Sequence, residues 1–110
     1  MKLPNGDRAV VDIEKLRDYC LSMEHPRGRH KARVFASALG ISDQDADVLR
    51  DALLTAAVTE EASSGEIDEY GQRFVVDFDI IGPGGQARVR SAWIVRGDED
   101  FPRLTSCYVL

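Results

Sequence analysis

The sequence predicts an α+β fold, with N-terminal helices packed on one face of a C-terminal antiparallel β-meander of three to four strands. Three observations carry this. Between about residues 12 and 59, apolar residues recur at helical spacing. From about residue 72 they alternate with polar ones at a period of two. The turn sequences Gly82-Pro83-Gly84-Gly85 and Gly97-Asp98-Glu99-Asp100 separate consecutive extended runs, so neighbouring strands pair in order.

The elements follow in chain order. A turn at Asn5-Gly6-Asp7 precedes a short extended run, Ala9-Val10-Val11. Asp12 is a good cap for a helix from about Ile13 to Ser22, because its carboxylate can take the unpaired N–H groups of the first turn. Ile13, Leu16, Cys20 and Met23 fall on one side of that helix. His25-Pro26 ends it, since the residue before a proline avoids the helical region. A second helix is predicted from about Gly28 to Leu39, with Val34, Phe35, Ala38 and Leu39 inward and Gly40 as a left-handed C-terminal cap. Ser42 and Asp45 have capping-box spacing. The third helix then runs to about Thr59, with Ala46, Leu49, Leu53 and Ala56 or Ala57 inward. Residues 60–69 read as a polar linker. Strands are expected over Gln72–Ile81, Ala87–Arg96 and Arg103–Leu110. In the last, strict alternation sets Leu104, Ser106, Tyr108 and Leu110 against Arg103, Thr105, Cys107 and Val109. The chain reads as one domain, 1–110: a helical part about 12–59, the linker 60–69, and strands about 70–110.

Composition removes several classes. With 110 residues and 44% apolar content, the chain can bury a core without disulfide or metal staples. Apolar runs stay short, as at Ala52-Leu53-Leu54, so no membrane span is expected. Residues 1–7 lack an apolar stretch of signal-peptide length. Cys20 and Cys107 are too few for a disulfide scaffold and are expected to be reduced, buried and apolar in role. With only His25 and His30 besides, no metal site is expected, and no sequence motif calls for a cofactor.

The net charge of −5 argues against a broadly basic nucleic-acid binder, but the charge is unevenly placed. Residues 27–33, Arg-Gly-Arg-His-Lys-Ala-Arg, hold four of the 14 Lys and Arg residues. Residues 43–70 hold nine acids and one base, Arg50. Cations at a helix start oppose the helix dipole, which favours an anion bound there. A solvated helix start would carry the same charges. Arg88 and Arg90 share one strand face and would lie opposite Asp77 and Asp79 in a hairpin, as an ion-pair ladder or as an anion site.

No phosphate loop, Ser-His-Asp order or paired-carboxylate motif is present. A histidine and a lysine at a helix start, with arginines and a hydroxyl on an open sheet face, fit metal-free RNA cleavage. In that chemistry a base takes the 2′-hydroxyl proton, an acid protonates the leaving 5′-oxygen, and cations stabilise the charged intermediate state.

The segments Leu3-Pro4-Asn5, Lys15-Leu16-Arg17-Asp18-Tyr19, His25 to Phe35, Tyr70-Gly71, Trp93-Ile94 and Pro102 to Tyr108 resemble a small bacterial domain family of no assigned function. Its members occur alone or at the C-terminus of phage-head-type and polymorphic-toxin proteins. More distantly, the early basic helix and the final strand Leu104-Thr105-Ser106-Cys107-Tyr108 resemble the barnase–EndoU–colicin–RelE superfamily of ribonuclease toxins. That resemblance implies a toxin-like endoribonuclease with His30, Lys31, Arg103 and Thr105 as catalytic residues. It also brings in Tyr108, and the basic segment and the open strand face add Arg29, Arg33 and Arg90, these four as substrate-binding candidates.

The expected partners are RNA and a cognate antitoxin or immunity protein. The expected location is the cytoplasm, of the producing cell or of a target cell. The alternative is a non-enzymatic module (antitoxin, immunity or scaffold domain) that engages a basic partner through the acidic 43–70 surface. A third reading is a cystatin-like small-molecule pocket between helices and sheet.

Overall fold

A computed structural model describes all 110 residues. Asp12 caps the first helix as expected, accepting the Glu14 N–H at 3.0 Å. That helix, α1 (Ile13–Lys15), is short, and the chain then widens into a π-helical turn (Leu16–Cys20) closed by Leu21 N–H on the Leu16 carbonyl at 2.8 Å. The sequence predicts a regular helix to about Ser22. The wider turn instead places both Leu16 and Cys20 fully inside the core.

Helix α2 (Arg29–Leu39) ends on Gly40, whose φ of 68° is the left-handed cap that a residue without Cβ adopts at little cost. It buries Ala32, Phe35 and Leu39. Val34, expected inward, is 43% exposed and lies one helical turn from His30. The capping box forms: Ser42 Oγ accepts from Gln44 N–H, and Asp45 Oδ2 accepts from Ser42 N–H at 2.9 Å. Helix α3 (Ala46–Thr59) then buries Ala46, Leu49 and Leu53 as predicted, and both Ala56 and Ala57 where one of the two was expected.

Four strands follow: β1 (Ala62–Asp68), β2 (Gly71–Gly82), β3 (Gly85–Arg96) and β4 (Pro102–Val109). They form one antiparallel sheet in the order β1-β2-β3-β4. The supposed linker is therefore mostly strand. It shows no apolar alternation because β1 is an edge strand with only Ala62 buried, so backbone pairing to β2 shapes it.

The helices cover the face carrying Phe74, Val76, Phe78 and Ile80 from β2 and Val89, Ser91 and Trp93 from β3. Ser91 is a buried polar residue, and it is satisfied. Its hydroxyl donates to the Val76 carbonyl at 2.7 Å and accepts from Trp93 Nε1 at 2.8 Å. The opposite face is open.

Strand β4 departs from the predicted alternation. Ala92 pairs with Ser106 but Trp93 pairs with Leu104, so Thr105 is an extra residue in a β-bulge. The bulge reverses the parity of everything after it. Leu104 and Cys107 both face the core, while Arg103, Ser106 and Tyr108 share the open face with Ile94, Ala92 and Arg90. The free side of β4 is partly closed by Val10, through Val10 N–H on the Pro102 carbonyl and Leu104 N–H on the Val10 carbonyl.

Candidate functional site

The segment before α2 is built by His25. Its Nδ1 accepts the backbone N–H groups of Arg27 and Gly28, both at 3.0 Å, which makes the ring a cap rather than a free base. The same ring stands edge-on to Tyr19, with centroids 4.7 Å apart at 90°. Gly28 packs on the Tyr19 backbone so closely that a Cβ there would lie 2.0 Å from the Tyr19 carbonyl oxygen. The block His25-Pro26-Arg27-Gly28 thus clamps Tyr19 beside the first turn of α2.

Lys31 projects from that turn. Its Nζ donates to Tyr19 Oη and to Ser106 Oγ, both at 3.1 Å. It lies 4.9 Å from the Tyr19 ring centroid and 5.9 Å from that of Tyr108. A half-buried ammonium is therefore held by two hydroxyls and two aromatic faces, with no carboxylate paired to it. Beside it, His30, Lys31, Val34, Tyr108 and Val109 line an open groove of about 270 Å³. Arg27, Arg29 and Arg33 are exposed and also lack carboxylate partners, so the whole basic segment stays unneutralised.

The other predicted residues are placed differently. Arg90 stands opposite Tyr108 in the sheet, yet both its Nε and its Nη2 bind the Asp77 carboxylate at 2.9 Å. That fork holds Asp77 below the usual carboxylate range and raises Arg90. Arg88 pairs with Asp79 at 3.0 Å, so the predicted ion-pair ladder is present. Arg103 is gripped by Glu99 through two bonds of 2.8 Å, which lowers Glu99 and raises Arg103. Thr105 Oγ1 donates to the Ala92 carbonyl, and the residue lines a separate groove with Tyr70, Arg73, Ile94 and Arg96. The structure thus brings His30, Lys31 and Tyr108 to one groove and puts Thr105 in another. No cluster of three or more His, Cys, Asp or Glu side chains is arranged to hold a metal ion.

Sequence reasoning assigned no role to Ser106, and it gave none to Tyr19. Ser106 was hidden by the bulge, and Tyr19 by its sequence distance from Lys31.

The arrangement defines a class: helices on one face of a four-stranded antiparallel meander, with a basic groove where the second helix meets the last strand. Residues 2–110 match the family described as a domain of unknown function, DUF6883, and the chain belongs to that family. No curated protein matches it. Among solved structures, it is similar to a chain of a contact-dependent growth inhibition toxin–immunity protein complex from Klebsiella pneumoniae 342. The TM-score is 0.69 at 21% identity, over 92% of this chain and 99% of that one, a likeness of fold.

Proposed function

We propose that the chain is a toxin-like domain that cleaves RNA without a metal ion, by general acid–base chemistry in the His30–Lys31 groove. The observation that carries this is the Lys31 ammonium, held by Tyr19, Ser106 and Tyr108, unneutralised, beside an exposed histidine. Two of the three ammonium protons are committed, which fixes the charge in place and leaves the third for a ligand. A scissile phosphate in the groove meets this positive charge, and His30 takes the 2′-hydroxyl proton. The 2′-oxygen attacks phosphorus and the bond to the 5′-oxygen breaks. Lys31 stabilises the developing negative charge and is the proton source for the leaving oxygen. Arg29 and Arg33 bind flanking phosphates, and the Tyr108 ring offers a surface for a base. Arg90, Arg103 and Thr105, engaged within the sheet, act at most on more distant parts of the RNA. Likeness to a toxin–immunity complex supports a role in such a system.

The test is incubation of the purified chain with total tRNA and other RNA, together with induced expression in bacteria. Cleavage and growth arrest are expected, and His30→Ala and Lys31→Ala should each slow cleavage by roughly 100-fold or more. Intact RNA with the wild-type chain, or full activity in both variants, refutes the reading.

A second reading has its own observation. Asp43, Asp47, Asp51, Glu60, Glu66 and Glu69 form no ion pair, so the acidic surface is as unneutralised as the basic one. It fits a protein-binding module with a basic partner. Asp47→Asn with Asp51→Asn would weaken that partner and leave cleavage unchanged. Asp45 is unsuitable for this comparison because it is part of the α3 capping box.

A further inference from the structure

We propose that the groove between α2 and β4 seats one unpaired nucleobase, so that the substrate is a nucleotide standing outside a duplex; this rests on the RNA reading above and narrows it to a substrate class. The groove is lined by His30, Lys31, Val34, Tyr108 and Val109. Val34 and Val109 have nothing to offer a phosphate or a proton transfer. Val34 is the informative one. It follows Arg33 in a cationic segment, yet it is 43% exposed. Ala32, Phe35 and Leu39 already make the buried face of α2, so the helix packs without it. It is an apolar wall on the outward, basic side. Val109 and the Tyr108 ring supply the β4 side. An apolar slot among unneutralised cations suits a ligand with one flat apolar part and one anionic part, and a nucleotide has both.

Size limits the occupant. Pockets for whole drug-sized ligands run to about 300–1,000 Å³. This groove has about 270 Å³, room for one ring system rather than a stacked run of bases. Lys31 Nζ is 5.9 Å from the Tyr108 ring centroid. Only a sugar separates a base from its own phosphate, so a base against Tyr108 sets that phosphate at Lys31, next to the exposed His30. In a duplex both faces of a base are covered by its stacked neighbours. The base must therefore leave the stack, or come from a single strand, to lie against the ring.

The lining side chains also determine how the base is read. Val34 and Val109 carry no hydrogen-bonding side-chain groups, and two of the three Lys31 protons are taken by Tyr19 and Ser106. No Asn, Gln, Asp, Glu or Arg side chain lines the groove to read a base edge. Recognition is by stacking and apolar contact, which every base can make. Strandedness rather than sequence selects the site.

The experiment titrates the wild-type chain, at fixed low salt, with short 2′-deoxy oligonucleotides carrying one 2-aminopurine. These lack the attacking hydroxyl, so binding is read without cleavage. Single strands should bind with quenched 2-aminopurine emission. The same sequence as a duplex, or with an abasic site replacing the 2-aminopurine in a competitor strand, should bind roughly 10-fold or more weakly. The four bases at that position should differ by less than about 10-fold. Lys31→Ala should weaken base-bearing and abasic strands alike. Tyr108→Val and Val34→Asn should shrink the difference between the two, while Tyr108→Phe, which keeps the ring, restores it. Val34 is exposed, so its variant tests the slot without disturbing the core. Equal affinity for base-bearing and abasic strands, or for duplex and single strand, overturns the proposal. So does polyglutamate competing as strongly as the oligonucleotide, which would make the groove a seat for an acidic protein instead. Base-dependent binding with no cleavage of any RNA counts against the ribonuclease reading alone, and cleavage without base dependence counts against this proposal alone.

Discussion

At the scale of single residues, small groups decide whether large ones have a place. Ser91 has no size to contribute, but it satisfies the indole N–H of Trp93 and a carbonyl inside the core. Ser91→Ala leaves that N–H buried without a partner, and a loss of about 1–3 kcal/mol is expected in urea unfolding. Gly28 acts through its missing Cβ. Gly28→Ala puts a methyl against the Tyr19 carbonyl, in a place already occupied by backbone. A loss of roughly 3 kcal/mol is expected, read by thermal unfolding. Because Tyr19 holds Lys31, the proposed ribonuclease reading expects the same variant to lose more RNA cleavage than its stability alone explains.

At the scale of elements, β2 and β3 are stitched on the open face by Asp77–Arg90 and Asp79–Arg88. Asp77 is held below its ordinary 3.8 by the Arg90 hydrogen bonds, with Arg charges adding and burial opposing. A carboxylate depressed in the folded chain contributes stability above its unfolded pKa, and that contribution disappears as pH falls through the folded value. Acid unfolding should therefore steepen below about pH 4, and Asp77→Asn should flatten that limb in a pH series of urea midpoints. The β4 bulge is the other decision at this scale. Period-two reading recovers every inward residue of β2 and β3, because neither strand is interrupted. It fails after Thr105, because one extra residue exchanges the faces, turning Cys107 into the core and Ser106 and Tyr108 out of it.

For the whole molecule, the two edges of the sheet are managed differently. The β4 edge is partly capped by Val10 and by Lys15 Nζ on the Thr105 carbonyl. The β1 edge is open, exposed from Ser63 onward, and carries Ile67 at 78% exposure. Its acids and its register shift between Ser64 and Ile67 discourage pairing with another copy. Replacing Glu66 and Glu69 with valine should lead to self-association, visible by analytical ultracentrifugation, while the wild type under the same conditions associates less. Charge is segregated on the same scale, with an unneutralised basic groove at the start of α2 and acids along the first turn of α3 and β1.

Features that depend on near neighbours in the chain were legible from the residues alone. The Asp12 cap, the Ser42–Asp45 box, the Gly40 terminator, the inward face of α3 and the β2–β3 ladder all arise from residues a few positions apart or joined by one tight turn. The basic segment 27–33 and its contrast with 43–70 were legible for the same reason. Only the tertiary structure decided the rest. It made strand out of 62–68, whose hydrogen bonds come from β2 rather than from its own pattern. It separated Thr105 from His30, and it joined Lys31 to Tyr19 and Ser106. Those contacts are set by a π-helical turn and a bulge, each an irregularity of one residue that periodicity averages away. They persist because each lets a side chain such as Cys20 or Cys107 be fully buried.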